Sequence, residues 1–405
     1  MANVSSSNGI EKRPNLRFSE FNSNWTSVKL GLAGDFYGGL SGKSKEDFGH
    51  GDAKFITYRN VFANTFASDK LLESVYVNQN ERQNRVHMGD VLFTQSSETF
   101  EEVGMSSVWL HSTEPFLNSF CMGWRPNSSD LNPVFLGYLL RTPTIRKQII
   151  CQGQGISRIN LAASRISNID LYHPSPDEQL KIANILSLLD QRIEAVCKIV
   201  EHLKKYKRGL LQAIFSREVQ LENLSNWEHR LFSEIASLGK GKYTPKQEEA
   251  LPCIELEHLE QQTGQIIGYA NSNEQNSVKS VFHKGDVLFG KLRPYLRKFA
   301  LPEYDGVCSS EIWVLHPESN IDSTFLFYLI QSESFIAAAN ISSGTKMPRA
   351  EWSKVSNESF FIPELSEQKR IADLFSAIDK RIVNASRSVN KMQSLKQGLL
   401  QQLFI

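Results

Sequence analysis

The segment GKLRPYLRK, at residues 290–298, contains the densest group of residues with a recognisable binding chemistry. It places Lys291, Arg293, Arg297 and Lys298 close together. Lysine and arginine side chains at this density neutralise phosphates and release their counterions. An arginine can also donate two parallel hydrogen bonds to the edge of a guanine. The segment therefore predicts contact with nucleic acid, against the alternative of a solvated surface loop.

Further residues with the same chemistry lie in both halves of the chain. Two glycine-rich turns, GGLSGKS at 38–44 and GKGK at 239–242, carry lysines. Asparagine and glutamine side chains can bind the edge of an adenine. For each single residue, a solvated surface side chain is the alternative. The candidates for DNA contact are Lys43, Lys45, Tyr58, Arg59, Asn60, Thr94, Gln95, Ser96, Arg158, Lys240, Lys242, Tyr243, Lys291, Arg293, Tyr295, Arg297, Lys346 and Arg349.

Motifs that indicate catalysis are incomplete. GGLSGKS resembles a phosphate-binding loop, but Tyr37 stands where that motif requires glycine. The run Asn132–Phe135 resembles an amino-methyltransferase motif without its second proline, and no glycine-rich loop for S-adenosylmethionine accompanies it. Histidines and cysteines do not recur at the spacing of metal ligands. We therefore expect no catalytic residue, no metal site and no cofactor in this chain.

A long segment that occurs twice must position these residues. The two copies align without a gap at an offset of 189 residues, and Asp190, for example, recurs as Asp379. In both copies the apolar residues alternate steps of four and three, which is the a/d pattern of a coiled coil. Such duplication indicates one structural unit used twice; ordinary amphipathic surface helices are the alternative. The predicted pairing residues are Ile182, Leu186, Leu189, Ile193, Val196, Val200, Leu203, Ile371, Phe375, Ile378, Ile382, Val389 and Met392.

The sequence also predicts where the repeated helix begins and where its apolar pattern is interrupted. Ser175 and Pro176 begin the first copy, and we expect Glu178 to complete a capping box. Lys207 and Lys396 interrupt the apolar pattern at equivalent places, where a polar residue can fix the register. Because the second copy begins after a globular stretch that follows the first, pairing along the apolar faces requires antiparallel helices. We expect such paired helices to act as a ruler that holds two globular parts apart.

The stretches before the two helices are weaker repeats of each other. Both contain the run Gly-Asp-Val-Leu-Phe, at Gly89–Phe93 and Gly285–Phe289, which predicts a tight turn into a buried strand. The residues between the shared motifs differ, so we expect two related targets. The predicted division is a flexible lead (1–14), a first recognition domain (15–174), a central helix (175–216), a second recognition domain (217–363) and a C-terminal helix (364–405).

The duplicated EQxxIA…DxRI…GLLQxxF helix, the GDVLF strand and the FGKLRPYLRK run resemble the specificity subunit of type I restriction-modification systems. The resemblance covers the chain from about Leu16 to its end. It implies an α+β fold with two target-recognition domains in a pseudo-two-fold arrangement, separated by a long antiparallel two-helix coiled coil. It also implies an interrupted double-stranded DNA target, two methyltransferase partner subunits and, in a full enzyme, motor-nuclease subunits. S-adenosylmethionine, ATP and Mg²⁺ would then belong to those partners.

Composition limits the remaining classes of protein. The chain has 405 residues, enough for two cores, and no apolar run that could span a bilayer. Its five scattered cysteines and polar N-terminus predict a cytoplasmic, non-secreted protein. The net charge of only +1 leaves a second hypothesis open, a coiled-coil scaffold that bridges two protein partners without reading DNA.

Overall fold

The structure, a computed structural model, describes residues 13–218, 227–245, 250–341 and 347–405. The chain divides into two compact units, one formed by residues up to Ala195 together with Val389–Ile405, the other by Val196–Ser388. Each unit contains one globular domain with mixed strands and helices and part of each of two long helices. The predicted α+β class is therefore confirmed. None of the described helices combines the length and apolar character that a membrane span requires.

The first domain is built on a five-stranded sheet of order β2-β10-β6-β8-β4 and a three-stranded sheet of order β5-β3-β9. Two further antiparallel pairs, β1 with β12 and β7 with β11, complete it. Its strands are β1 (Thr26–Lys29), β2 (Gly34–Gly38), β3 (Phe48–Ile56), β4 (Phe66–Ala67), β5 (Leu72–Val75), β6 (Val91–Thr94), β7 (Ser96–Ser97), β8 (Ser106–Trp109), β9 (Phe116–Leu117), β10 (Cys121–Pro126), β11 (Ile159–Asn160) and β12 (Asp170–His173).

The second domain has a four-stranded sheet of order β14-β22-β19-β20 and a five-stranded sheet of order β15-β18-β21-β16-β17. A further antiparallel pair joins β13, at the start of the domain, to β23, which directly precedes the second long helix in sequence. Its strands are β13 (Glu228–Leu231), β14 (Ala236–Leu238), β15 (Lys242–Tyr243), β16 (Pro252–Ile254), β17 (Ala270–Asn271), β18 (Lys279–Phe282), β19 (Val287–Gly290), β20 (Phe299–Ala300), β21 (Gly306–Cys308), β22 (Ile312–Pro317) and β23 (Ser359–Ile362).

The helices repeat between the domains. Each domain contributes a short pair of helices after its central sheet, a single turn before its last strand, and then a long helix. The helices are α1 (Tyr58–Ala63), α2 (Pro133–Leu139), α3 (Pro143–Ile150), α4 (Ala163–Ile166), α5 (Pro176–Phe215), α6 (Ser323–Leu329), α7 (Glu333–Ala339), α8 (Trp352–Val355) and α9 (Leu365–Gln402).

The Gly-Asp turn before β6 and β19 is held by its aspartate. Gly89 and Gly285 have φ values of +94° and +97°, which only glycine adopts without steric cost. The next residue, Asp90 or Asp286, accepts a hydrogen bond from the backbone N–H three residues back. In the first domain Arg125 also donates two hydrogen bonds to the Asp90 carboxylate. The turn predicted from Gly-Asp is thus an anchored start for a fully buried strand.

A buried glutamine fastens each long helix to its own domain. The Gln179 amide accepts from the Asn132 backbone N–H at 2.9 Å and donates to the Pro174 carbonyl at 2.9 Å. Gln368 makes the equivalent bonds with Asp322 and Pro363. These bonds satisfy an amide that burial would otherwise leave unpaired. The identical glutamines of the two copies therefore join helix and domain.

The glutamate beside each glutamine has a different partner from the one expected. Glu178 was predicted to complete a capping box, but both of its carboxylate oxygens accept from the Arg17 guanidinium, at 2.8 and 2.7 Å. Its equivalent, Glu367, accepts from the Trp227 indole at 2.9 Å. Both carboxylates are buried, so each needs a hydrogen-bond donor inside the protein, and the charged Arg17 guanidinium is the stronger of the two donors.

The two long helices pack antiparallel within the first unit. Ile182 and Leu186, near the start of α5, share a core with Leu403, near the end of α9. One turn further along α5, Asp190 pairs with Lys396, which lies further from the end of α9. The contacts thus advance along one helix while they retreat along the other.

The second unit repeats this arrangement with the helix ends exchanged. Phe215, at the end of α5, shares a core with Ile371 and Phe375, near the start of α9, and Lys207 pairs with Asp379. The antiparallel pairing predicted from the sequence is therefore confirmed in each unit. The predicted pairing residues are buried at Ile182, Leu186, Ile371, Phe375, Ile378 and Val389, and partly buried at Leu189, Ile193, Val196, Val200, Leu203, Ile382 and Met392.

Candidate nucleic-acid interface

Three segments meet just beyond the GDVLF strand of the first domain. The Gln95 backbone N–H donates to the Phe120 carbonyl at 2.8 Å, which ties the end of β6 to the approach of β10. The Gln95 carbonyl accepts from the Leu161 N–H at 2.8 Å, which adds the segment that leads to the long helix. Gln95 is thus fixed on both sides of its backbone. We call this meeting point the first junction.

The second domain has the same construction at Lys291. Its backbone N–H donates to the Glu311 carbonyl at 2.9 Å, and its carbonyl accepts from the Ala350 N–H at 2.8 Å. Lys291 therefore occupies the place of Gln95, two residues after the phenylalanine of GDVLF. We call this meeting point the second junction. The backbone is repeated while the side chains are replaced, as expected of two readers of one design.

At the first junction an aromatic ring is presented to solvent. Phe120 is 54% exposed, and the Arg158 guanidinium lies 5.9 Å from its ring centroid. Tyr58 is turned inward by comparison, since its hydroxyl donates to the Ser96 carbonyl at 2.7 Å. An exposed ring capped by a cation can contact base faces or the methyl group of thymine. Phe120 was not among the sequence candidates, because apolar residues near a strand usually lie in the core.

At the second junction, the position equivalent to Phe120 carries a charged side chain. Glu311 stands where the first domain has Phe120, and Arg349 donates to its carboxylate at 3.0 Å. The Lys291 backbone N–H is hydrogen-bonded to the Glu311 carbonyl. Glu311 was not among the predicted contacts either, because a single carboxylate outside a catalytic pattern does not indicate a binding site. It is positioned to orient Arg349 by a bidentate ion pair.

The loop after Lys291 has a strained backbone and is fixed by a hydrogen bond to the segment before α8. Arg293 and Arg297 have φ values of +53° and +52°, a left-handed conformation that costs a non-glycine residue about 1–2 kcal/mol. The Arg293 N–H donates to the Pro348 carbonyl at 2.8 Å, which fixes the loop to the segment before α8. Tyr295 is 51% exposed at the tip, while Arg297 pairs with Glu333. Strain of this kind is typical of functional sites.

Some of the other predicted contact residues are exposed, and others form hydrogen bonds within the protein. Lys45, Arg59 and Lys240 are exposed. Lys242 is exposed but its ammonium lies 3.3 Å from the Ser280 hydroxyl, and the Tyr243 hydroxyl accepts from Ser272. Lys346 lies outside the described residues.

Three predicted contacts are corrected by their burial. The Asn60 amide is buried and forms hydrogen bonds with the backbone of Ser68. The Thr94 hydroxyl is buried and accepts from the Met105 N–H. The Lys43 ammonium is buried beside the carboxylate of Glu81, at 2.6 Å. Reaching a nucleic acid would require each to give up these bonds, so their geometry favours a structural role.

The Lys43–Glu81 pair predicts acid sensitivity in the first domain. The hydrogen bond from Lys43, followed by that from Gln83, lowers the pKa of Glu81 from 4.5 to about 2. A carboxyl whose pKa falls on folding stabilises the fold fully above its unfolded pKa and loses that contribution as the pH falls towards the folded value. Glu81→Gln should therefore flatten the loss of stability between about pH 5 and about pH 2, measured as the unfolding midpoint. An unchanged pH profile contradicts this assignment.

Each unit also contains a lysine, an aspartate and a tyrosine that join the long helices to the domain. In the second unit the Asp379 carboxylate accepts from Lys207 and from the Tyr328 hydroxyl, both at 2.8 Å. Burial lowers the pKa of Lys207, and Asp379 opposes that shift. In the first unit Lys396, Asp190 and Tyr138 make the same set, with the lysine at 2.6 Å and the tyrosine at 2.8 Å from the aspartate. We call these sets the helix locks.

Comparison with known families decides the class of protein. The sequence pattern described as type I restriction modification DNA specificity domain matches twice, at residues 22–205 and 225–391. The chain belongs to this family. As a specificity subunit of a type I restriction-modification system, it serves DNA target recognition, and its partners are DNA and other subunits of that system. Specificity subunits are non-catalytic.

Relatives of similar sequence agree with that assignment, and a solved structure shares the fold. The chain is 27% identical over 312 residues to the EcoDI specificity subunit of Escherichia coli, covering 67% of this chain and 69% of the relative. It is 24% identical over 304 residues to the MjaVIII specificity subunit of Methanocaldococcus jannaschii, with shares of 67% and 69%. The fold is similar to that of the S subunit from M. genitalium, with a TM-score of 0.60, 17% identity and coverage of 97% and 99%.

Proposed function

We propose that this specificity subunit selects an asymmetric, bipartite DNA site, with one half-site bound by each domain. The observation that supports it most directly is the pair of junctions, where one backbone arrangement carries Gln95 and Phe120 in one domain and Lys291 and Glu311 in the other. The same backbone arrangement with different side chains in the two domains is suited to two half-sites that differ in sequence. The helices are 40 and 38 residues long, and α5 alone spans about 60 Å, so we infer that they set an unread spacer.

We further propose that the chain docks two methyltransferase subunits and, in a complete restriction enzyme, motor-nuclease subunits in the cytoplasm. Methylation and cleavage, with S-adenosylmethionine, ATP and Mg²⁺, belong to those partners. Exposed apolar side chains on the long helices support protein docking, since Leu188 and Leu395 in the first unit and Tyr206 in the second face solvent.

Footprinting of the assembled complex on a DNA fragment that carries the site tests this proposal. Two protected blocks with an accessible stretch between them are expected. A single contiguous block, or no protection with the methyltransferase present, removes the proposal.

The family match decides against the second hypothesis, a coiled-coil scaffold that does not read DNA, which rested on the net charge of +1. DNA binding by the assembled complex should therefore weaken as salt rises, with a log–log slope of about −0.9 for each phosphate neutralised. Weak binding with a flat salt response would contradict phosphate contacts.

A further inference from the structure

Gln95 and Lys291 have the same fixed backbone and different side-chain chemistry. Each is the second residue after the phenylalanine of GDVLF, and each exchanges two backbone hydrogen bonds with equivalent neighbours. Such bonds fix where the side chain leaves the main chain. The backbone at these positions is therefore already ordered before a ligand binds, which lowers the entropy cost of binding.

Both side chains are half-buried, and within the described ranges neither has a hydrogen bond or ion pair from its polar end. Their neighbours are engaged instead: Arg158 lies over Phe120, and Arg349 binds Glu311. At each junction, therefore, one polar side chain without a partner in the described part of the chain lies among side chains that have one. This side chain is the Gln95 amide in the first domain and the Lys291 ammonium in the second.

On the basis of the proposed function, we propose that Gln95 and Lys291 are the base-reading residues of the two domains. The Gln95 amide, with one donor and one acceptor side, matches N6 and N7 of adenine. The Lys291 ammonium, which only donates, matches O6 and N7 of guanine. The exposed Phe120 ring beside Gln95 suits a neighbouring thymine methyl group.

Selection of duplexes from a randomised pool by the assembled complex tests this assignment. Gln95→Lys should change one position of the first half-site from adenine to guanine and leave the second half-site unchanged. Lys291→Gln should do the reverse in the second half-site. Each change should alter the preference between the two bases by about tenfold or more. Lys291→Arg should keep guanine, because arginine binds the same edge.

Controls at the opposite end of the same strands separate base reading from a change of charge. Lys284 is exposed in the turn before β19, and Met88 is its exposed equivalent before β6. Lys284→Gln and Met88→Lys make the same charge changes there and should leave every base preference unchanged.

Three results would overturn the assignment. The first is an equal loss of affinity for all sequences, because that indicates a phosphate contact. The second is that the variants keep the base preferences of the original chain. The third is a changed base in the wrong half-site. In each of these cases bipartite selection by the unmodified complex still supports the proposed function. If the unmodified complex selects no sequence at all, the proposed function fails together with the assignment.

Discussion

Lys207→Met should destabilise the second unit by an amount near the lower end of about 3–5 kcal/mol, the usual loss when one partner of a buried ion pair is removed. The side chains of Lys207 and Asp379 are 9% and 22% exposed, so removal of the lysine leaves a mostly buried carboxylate with one remaining donor, Tyr328. Hydrogen exchange should accelerate in α9 around Asp379 and in the end of α5, with a lower unfolding midpoint.

Lys396→Met is the matched control, because it removes the equivalent lysine from a more open lock. Its side chain is 23% exposed and that of Asp190 is 33% exposed. We expect a smaller loss there, about 1 kcal/mol, because this pair is more exposed to solvent than the Lys207–Asp379 pair. Adding Asp379→Asn to Lys207→Met should recover part of the stability, because the orphaned charge disappears while an acceptor for Tyr328 remains. Equal losses for the two lysine variants contradict the explanation by burial.

Arg293→Gly should weaken DNA binding by the assembled complex by about 1–3 kcal/mol if the guanidinium contacts a base, and should lower the salt slope by about 1 if it contacts a phosphate. Arg293→Ala should have the same effect on DNA. The two variants should differ in stability, since φ is +53° at this position and glycine relieves roughly 1 kcal/mol of strain that alanine retains.

Arg230→Ala is a suitable control for this loop. Arg230 lies on β13 and is paired with Glu228, so its loss removes a positive charge from the same domain without touching the loop. Binding is measured by titration of labelled duplex at several salt concentrations. Unchanged affinity and slope for Arg293→Gly would exclude the loop from the interface.

Periodic patterns and duplication predicted the long antiparallel helices, whereas the α+β class was implied by the resemblance to the family. The sequence also indicated Lys207 and Lys396 as breaks in the apolar pattern. Their partners Asp379 and Asp190 were visible only as identical residues, because a pairing across 172 positions depends on the helix register. The aspartate that binds each lysine became recognisable once the antiparallel contacts were known.

The candidate site was less predictable from sequence than the fold. Residue type identified Lys291 and Gln95, but it equally identified Asn60 and Thr94, which the core encloses. Exposure depends on how loops fold back, and no local pattern encodes it. Phe120 was missed for the opposite reason, since its type predicts burial although its ring faces solvent.

The map of modified bases in the DNA of the source cell, with and without this gene, tests the central claim most directly. If two unlike domains each read a half-site, modification that depends on the gene will occur in one motif with two different specified blocks and an unspecified spacer between them. A single uninterrupted motif, two identical blocks, or a map that does not change when the gene is removed would contradict the claim.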